Sequence, residues 1–133
     1  MVGALAFAFT KLVVQDLARA ERFYVDVFGM QIARRITSSE HKFALEEVSL
    51  VLPGATPPHA LVLTRYLSQP APPAGAAYAG FVVADLDATL DALTRSGGKI
   101  EVAAHRNAEH GVIAALASDP EGHMIELIQM LAA

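Results

Sequence analysis

Five histidines and the carboxylates near them are the side chains of this sequence that could bind a metal ion or move a proton. The histidines are His41, His59, His105, His110 and His123. Each is interpreted as an exposed or edge histidine, because polar side chains mostly lie at protein surfaces. His123 is three residues before Glu126, so strand alternation would send these two side chains to opposite faces of a sheet. The pair Glu109-His110 is the one that a loop could bring over a ligand.

The composition excludes several kinds of site and partner. The chain of 133 residues contains no Cys, which removes disulfides, iron–sulfur clusters, Cys-containing zinc sites and thiol nucleophiles. A net charge of −4, with Arg34-Arg35 as the single adjacent basic pair, argues against nucleic-acid binding. The apolar opening from Met1 to Phe9 is too short to span a bilayer and lacks the basic start of an export signal. We therefore expect a cytoplasmic protein with neither a nucleic-acid nor a membrane partner.

The elements that must position these groups occur twice along the chain. Phe9–Leu17 and Tyr78–Leu86 each begin with an aromatic residue and end in Val-Val-x-Asp-Leu. Apolar residues at helical spacing follow each segment, and a glycine ends each helical pattern. Asp16 and Asp85 stand where a side-chain oxygen can cap the first free amides of a helix.

Three extended segments follow each predicted helix. They span residues 31–37, 42–52 and 60–66 in the first copy, and 99–103, 111–118 and 123–130 in the second. The order strand, helix, strand, strand, strand therefore occurs twice. Asp119-Pro120-Glu121-Gly122 has the residues of a turn that joins the last two strands as a hairpin. Because neither half is long enough to bury a sheet face alone, we expect one domain over residues 1–133, with module one at about 5–67, a linker at about 68–76 and module two at about 77–131.

Two segments carry a resemblance to a known family. Leu12–Leu17, with Phe23-Tyr24 and Phe28–Met30, resembles the first half of the vicinal oxygen chelate superfamily, and Ser118–Ile128 resembles its closing hairpin. This superfamily includes glyoxalase I, bleomycin-resistance proteins, extradiol dioxygenases and fosfomycin-resistance transferases. The resemblance implies an α+β fold of two tandem βαβββ modules, whose mixed sheets curl into a cup with the helices outside. It also implies a homodimer that binds a small molecule in the cup, in many members with a divalent metal.

The metal site that the resemblance implies is incomplete in this sequence. In metal-dependent relatives the ligands come from the first and last strand of each module, positions that hold Phe9, Leu63, Tyr78 and Glu126 here. Only Glu126 is a ligand type, and one carboxylate cannot replace the hydration shell of a divalent ion. The residues beside Leu63 and Tyr78 offer no strong ligand: they are Val62, Thr64, Ala77 and Ala79. We therefore expect no metal cofactor, unless the histidines form a non-standard site.

Strand alternation from those four positions predicts the lining of the cup. The expected lining residues are Phe7, Phe9, Lys11, Leu61, Leu63, Arg65, Tyr78, Gly80, Met124, Glu126 and Ile128. Such a pocket is mostly apolar with a few polar groups, as small-molecule sites generally are. Glu126 would lose hydration there and could act as a general acid or base, unless Lys11 or Arg65 pairs with it. Tyr78 is the second candidate catalytic residue, and Lys11 or Arg65 could bind a carboxylate.

Several of these residues also have a purely structural interpretation. Glu126 could be a salt-bridged relic of a lost site, because charged networks also perturb titration. The aromatic side chains of Phe7, Phe9 and Tyr78 could be ordinary core residues. Lys11 could extend its stem along the sheet and leave its ammonium group in water.

Three kinds of function stay open. The preferred one is a binding protein of the bleomycin-resistance kind, with a degenerate metal site and an aromatic or amphipathic ligand in the cup. The alternative is a glyoxalase-like lyase or isomerase that uses Glu126 as general base, although no obvious group stabilises an enediolate without a metal. A dioxygenase fits less well, because it needs two histidines and a carboxylate on iron. The third kind is an interaction module whose cup is filled by its own side chains.

Overall fold

The computed structural model describes residues 2–3, 5–39, 44–55 and 59–132. Its elements in chain order are β1 (Phe9–Val13), α1 (Leu17–Phe28), β2 (Gln31–Ser38), β3 (Leu45–Val51), β4 (Ala60–Tyr66), β5 (Tyr78–Val82), α2 (Leu86–Arg95), β6 (Lys99–Asn107), β7 (Val112–Ser118) and β8 (Met124–Met130). The order βαβββ therefore occurs twice, which confirms the modules and the α+β class predicted from the repeat.

The chain divides into two compact units, each with one four-stranded mixed sheet. The first unit comprises Met1–Val25 and Gly29–Pro72, and the second comprises Asp26–Phe28 and Pro73–Ala133. The strand order is β1-β4-β3-β2 in the first sheet and β5-β8-β7-β6 in the second. In each sheet the first and last strands of the module pair in parallel, and the other neighbours pair antiparallel. Neither sheet closes, and the helices lie outside.

Both helices begin at the aspartates that the sequence marks as caps. Asp16 and Asp85 each accept a hydrogen bond of 3.0 Å from the backbone N–H three residues further on. Helix α1 ends at Gly29, whose φ of 68° is the left-handed conformation that glycine adopts without strain. Helix α2 has Ser96 as its C-cap, immediately before Gly97. Neither helix, among the residues described, has the length and apolar character needed to cross a membrane.

Strand bounds differ most from the sequence prediction at β3 and β6. Strand β3 is shorter than the predicted segment 42–52, although residues 40–43 lie outside the described part of the chain. Strand β6 continues beyond the predicted end at residue 103 to Asn107. The pairing register between β6 and β7 shifts on both sides of Val102. Such bulges allow an edge strand to bend and then resume its pairing.

Strand β4 is an inner strand of the first sheet and is covered on both faces. Leu61, Val62, Leu63 and Thr64 are all buried, so the strand shows no alternation of buried and exposed positions. Its register is fixed by pairing with β1, in which Phe9 lies opposite Ala60. This register decides which β4 side chains can reach a ligand.

Candidate functional site

One face of the first sheet forms a pocket with a volume of about 280 Å³. All four strands of this sheet contribute to its lining, which consists of Phe9, Lys11, Arg34, Ile36, Glu47, Ser49 and Val62. The register explains why these residues meet, because Lys11 lies opposite Val62, Val62 opposite Ser49, and Ser49 opposite Arg34. We call this cavity the first-sheet pocket. Its walls combine three apolar side chains, Phe9, Ile36 and Val62, with three charged side chains and one serine, so the pocket offers both apolar surface and charged groups to a small molecule.

A nearly buried carboxylate, Glu47, lies in the wall of the first-sheet pocket. Its side chain is 11% exposed. Its Oε2 accepts a hydrogen bond of 2.7 Å from the hydroxyl of Thr64 and lies 3.1 Å from the Lys11 ammonium. Hydrogen bonds to an ionised group are stronger than neutral ones, so two donors compensate the lost hydration of this carboxylate. Lys11, which the sequence offers as a residue that could bind a carboxylate, is paired here with Glu47.

Arg34 and its neighbour Arg35 differ in what they contact. Arg35 holds Glu21 through two hydrogen bonds of 2.6 and 2.9 Å. These hydrogen bonds and the charge of Glu21 raise the pKa of Arg35. Adjacent strand residues point to opposite faces, so Arg34 lines the pocket while Arg35 does not. Arg34 forms no salt bridge with any residue in the described ranges, and it is the cation of the pocket that is open to a ligand.

Strand β4 presents Val62 to the pocket, one residue away from the position expected from the sequence. Because side chains alternate, Leu61, Leu63 and Arg65 point to the other face of the strand. Arg65 pairs there with Glu46 at 3.0 Å. The expected contribution of β4 to the lining is therefore displaced by one residue, and these three residues do not line the first-sheet pocket.

Phe7 also lies outside the first-sheet pocket, because β1 begins two residues after it. Its ring stacks on His59, with ring centroids 4.9 Å apart and an angle of 5° between the planes. The Nδ1 of His59 lies 3.0 Å from the Phe7 carbonyl oxygen, and its Nε2 lies 2.9 Å from the Thr10 hydroxyl. His59 thus fastens the segment before β1 to the sheet.

The other predicted site residues lie together on one face of the second sheet. Tyr78 is opposite Met124 and Gly80 is opposite Glu126, so all four share a face with Ile128. Tyr78 is 55% exposed, and Glu126 is exposed too. Glu126 makes no salt bridge with any residue in the described ranges. The two basic residues that the sequence offers as its partners, Lys11 and Arg65, pair with Glu47 and Glu46 of the first sheet. We call this set the second-sheet face.

The repeat itself identifies which residue of module one corresponds to Glu126. Phe9 pairs with Ala60 in the first sheet as Tyr78 pairs with Met124 in the second. Val62 is therefore the counterpart of Glu126, being two residues after Ala60 as Glu126 is two after Met124. The equivalent positions of the two modules then hold Phe9, Val62, Tyr78 and Glu126. Taking Leu63 in place of Val62 adds no metal ligand, because both side chains are aliphatic. This donor set does not fit a divalent ion, which needs several strong oxygen or nitrogen ligands.

The four histidines that the structure describes contact backbone groups and neighbouring side chains and do not form a cluster. Nδ1 of His105 lies 3.2 Å from the carbonyl oxygen of Ala103, and Nδ1 of His110 lies 3.0 Å from the side-chain Nδ2 of Asn107. The backbone of His123 donates to Asp119 in the closing hairpin, while His41 lies outside the described residues. No group of three or more His, Asp or Glu side chains suited to a metal occurs in the described part of the chain.

These sheets define a class of proteins built from two βαβββ modules, each with one four-stranded mixed sheet. The family described as Glyoxalase/Bleomycin resistance protein/Dioxygenase superfamily matches residues 6–127. The chain belongs to this superfamily, which confirms the resemblance seen in the sequence.

Two curated relatives and one crystal structure are similar to this chain over most of its length. The chain is 32% identical over 123 residues to a probable lactoylglutathione lyase of Vibrio parahaemolyticus, covering 90% of this chain and 87% of the relative. It is 30% identical over 122 residues to a lactoylglutathione lyase of Haemophilus influenzae, covering 90% and 89%. A glyoxalase family protein from Bacillus cereus superposes with a TM-score of 0.83 at 20% identity, over 98% of this chain and 97% of that one, which shows the shared fold.

Proposed function

We propose that this chain is a small-molecule-binding protein that takes an aromatic or amphipathic ligand without requiring a divalent metal. The observation that carries the proposal is the first-sheet pocket, which joins apolar walls to an arginine without a partner in the described ranges. Apolar side chains beside charged groups bind and orient an amphipathic molecule, and an arginine guanidinium can hold an anionic group through two parallel hydrogen bonds.

The loss of metal-ligand residue types supports the same proposal. Phe9 and Val62 offer no lone pair to an ion, and Tyr78 and Glu126 offer one phenol and one carboxylate. Phe9 and Val62 instead line the first-sheet pocket, where they add apolar surface to the binding site. Two positions that hold metal ligands in metal-dependent relatives thus contribute to the binding of an organic molecule in this proposal.

The test is a thermal-shift screen of chelator-treated protein against uncharged, anionic and cationic single- and two-ring compounds. The proposal expects stoichiometric binders among the anionic amphipathic compounds, with no dependence on added nickel, zinc or iron(II). Absence of binders across the panel, or binders that appear only after metal is added, would contradict it.

A glyoxalase-like lyase or isomerase is the second candidate, because both curated relatives are named lactoylglutathione lyases. In this candidate Glu126 is the general base and Tyr78 positions a carbonyl, both from the second-sheet face. The discriminating assay follows lactoylglutathione spectroscopically with wild-type protein and with Glu126→Gln. The lyase is favoured if Glu126→Gln abolishes turnover while ligand binding persists. An unchanged rate would show that Glu126 is not the general base.

We also propose that the chain forms a homodimer, as members of the superfamily typically do. Large apolar side chains stand exposed on strands of both sheets, including Phe9 at 53%, Val82 at 69% and Met130 at 60%. Exposed apolar surface of this kind marks interaction or ligand sites. Light scattering after size-exclusion chromatography at micromolar concentration measures the molar mass directly. A molar mass equal to that of one chain would refute the dimer.

A further inference from the structure

We propose that the first-sheet pocket is a site for a monoanionic, single-ring aromatic carboxylate, and that Arg34 binds the carboxylate. This inference rests on the proposed function and names its ligand class. It depends on three features of the pocket: the balance of its charges, the composition of its walls and its size.

The charges of the pocket favour a ligand with a single negative charge. Lys11 and Glu47 form an ion pair, so their charges cancel within the pocket wall. Arg34 remains as an open cation, because it forms no salt bridge in the described ranges. One carboxylate therefore neutralises the pocket, and the guanidinium can hold it through two parallel hydrogen bonds.

The apolar walls favour an aromatic body on that carboxylate. Phe9 is half exposed on the pocket side of β1, and Ile36 and Val62 provide aliphatic surface on β2 and β4. An aromatic ring packs against phenylalanine in an offset or edge arrangement and so gains more than the burial of its area alone. Ring burial would also remove water from around the Arg34 contact, which strengthens that contact.

The size of the pocket sets an upper limit on the ligand. Its volume of about 280 Å³ is slightly below the range of roughly 300–1,000 Å³ that is usual for small-molecule sites. Such a cavity accommodates one ring with its carboxylate more readily than a fused-ring or peptide ligand. Benzoate is therefore the probe that matches the pocket most directly.

The first-sheet pocket offers no second unpaired cation, among the described residues, to a ligand with two negative charges. The Glu47 carboxylate is 11% exposed and is held by Thr64 and Lys11, so the Lys11 ammonium is already paired. A second carboxylate on the ligand would lose hydration without gaining a partner, which disfavours its binding. We therefore expect benzoate to bind more tightly than phthalate.

The test is titration of ¹⁵N-labelled protein with benzoate, followed by amide shifts and by calorimetry in the presence of a chelator. Cyclohexanecarboxylate tests the aromatic ring, benzyl alcohol tests the single negative charge and phthalate tests the second negative charge. We expect shifts on β1 to β4, and we expect Arg34→Gln to weaken benzoate binding by roughly tenfold to a hundredfold. The matched control is Arg35→Gln, whose side chain lies on the other face and whose replacement should leave benzoate affinity within about twofold.

Benzoate affinity that Arg34→Gln leaves unchanged, or shifts confined to the second sheet, would overturn the inference. Other organic ligands that bind the chelated protein elsewhere would overturn it while leaving the proposed function standing. Benzoate binding that depends on Arg34 but needs an added divalent ion would support this site and contradict the metal-free function. Both arginines are exposed, so neither substitution threatens the fold, and a thermal melt verifies this for each variant.

Discussion

The contact between Thr64 and Glu47 is the part of the first-sheet pocket with the clearest energetic consequence. Thr64 is fully buried, and its hydroxyl donates to a carboxylate that is itself mostly withdrawn from water. Thr64→Val keeps the shape of the side chain and removes only the donor. Water cannot easily replace the hydroxyl at a buried position, so the Glu47 carboxylate would depend on Lys11 alone.

The expected cost of Thr64→Val is about 2 kcal/mol, since hydrogen bonds to charged groups contribute roughly 1.5–3 kcal/mol. For a chain of 133 residues this corresponds to a fall in Tm of about 7 °C, because the unfolding entropy scales with chain length. Urea unfolding followed by circular dichroism at neutral pH measures the free energy, and scanning calorimetry measures the Tm.

Two further variants make this prediction specific. Thr37→Val changes the same residue type at an exposed position of β2 and should alter stability by no more than about 0.5 kcal/mol. In the background of Glu47→Leu the acceptor is gone, so Thr64→Val should then cost little, and the double-mutant cycle isolates the pair. A Thr64→Val variant as stable as wild type, with Glu47 intact, would refute the hydrogen bond as the reason why this carboxylate is tolerated.

Three other predictions address the helices and the cooperativity of the chain. Gly98→Ala should lower the free energy of unfolding by roughly 1–3 kcal/mol, because the new Cβ would lie 2.6 Å from Leu93 Cδ2 and 2.8 Å from the Ser118 carbonyl oxygen. Gly80→Ala is the control in the same urea titrations, because a Cβ at Gly80 has no atom within 4 Å. Asp85→Ala should cost about 1 kcal/mol through loss of the α2 cap, with Asp85→Asn retaining most of the stability. The single domain predicted from the sequence should give one calorimetric transition whose van't Hoff and measured enthalpies agree, whereas two separate transitions would show that the units unfold independently.

The fold could be predicted from local signals that leave little choice. Asp16 and Asp85 mark the helix starts and Gly29 marks a helix end, because capping chemistry restricts those positions to a few residue types. The repeated Val-Val-x-Asp-Leu segments then set the spacing of both modules. The boundaries of β3 and β6 differ most from the prediction. Strand β6 is an edge strand that tolerates bulges, so its pairing continues past the predicted end.

The site could be predicted less well, for two physical reasons. Strand β4 is buried on both faces, so Leu61, Val62 and Leu63 carry no alternation from which to infer which side faces a ligand. The pairing of Phe9 with Ala60 supplies the missing information, because it places Val62 on the same face of the sheet as Phe9 and Lys11. The sequence does not identify Glu47 as a pocket residue, because Glu47 follows Glu46 directly and strand alternation alone does not show which of the two carboxylates faces the pocket. Cross-strand charge pairing was the available signal, since each glutamate lies near a basic residue in the sheet.

The most direct test of metal-independent ligand binding is to titrate chelator-treated protein with nickel, zinc and iron(II) by calorimetry and to determine the metal content of untagged protein by mass spectrometry. With Phe and Val at two of the four ligand positions, we predict substoichiometric metal and no ion bound more tightly than about 100 µM, while the organic ligand binds equally well with and without chelator. If one ion per chain bound with submicromolar affinity and were required for ligand binding, this prediction would be contradicted. A metal-assisted reaction would then be the favoured function.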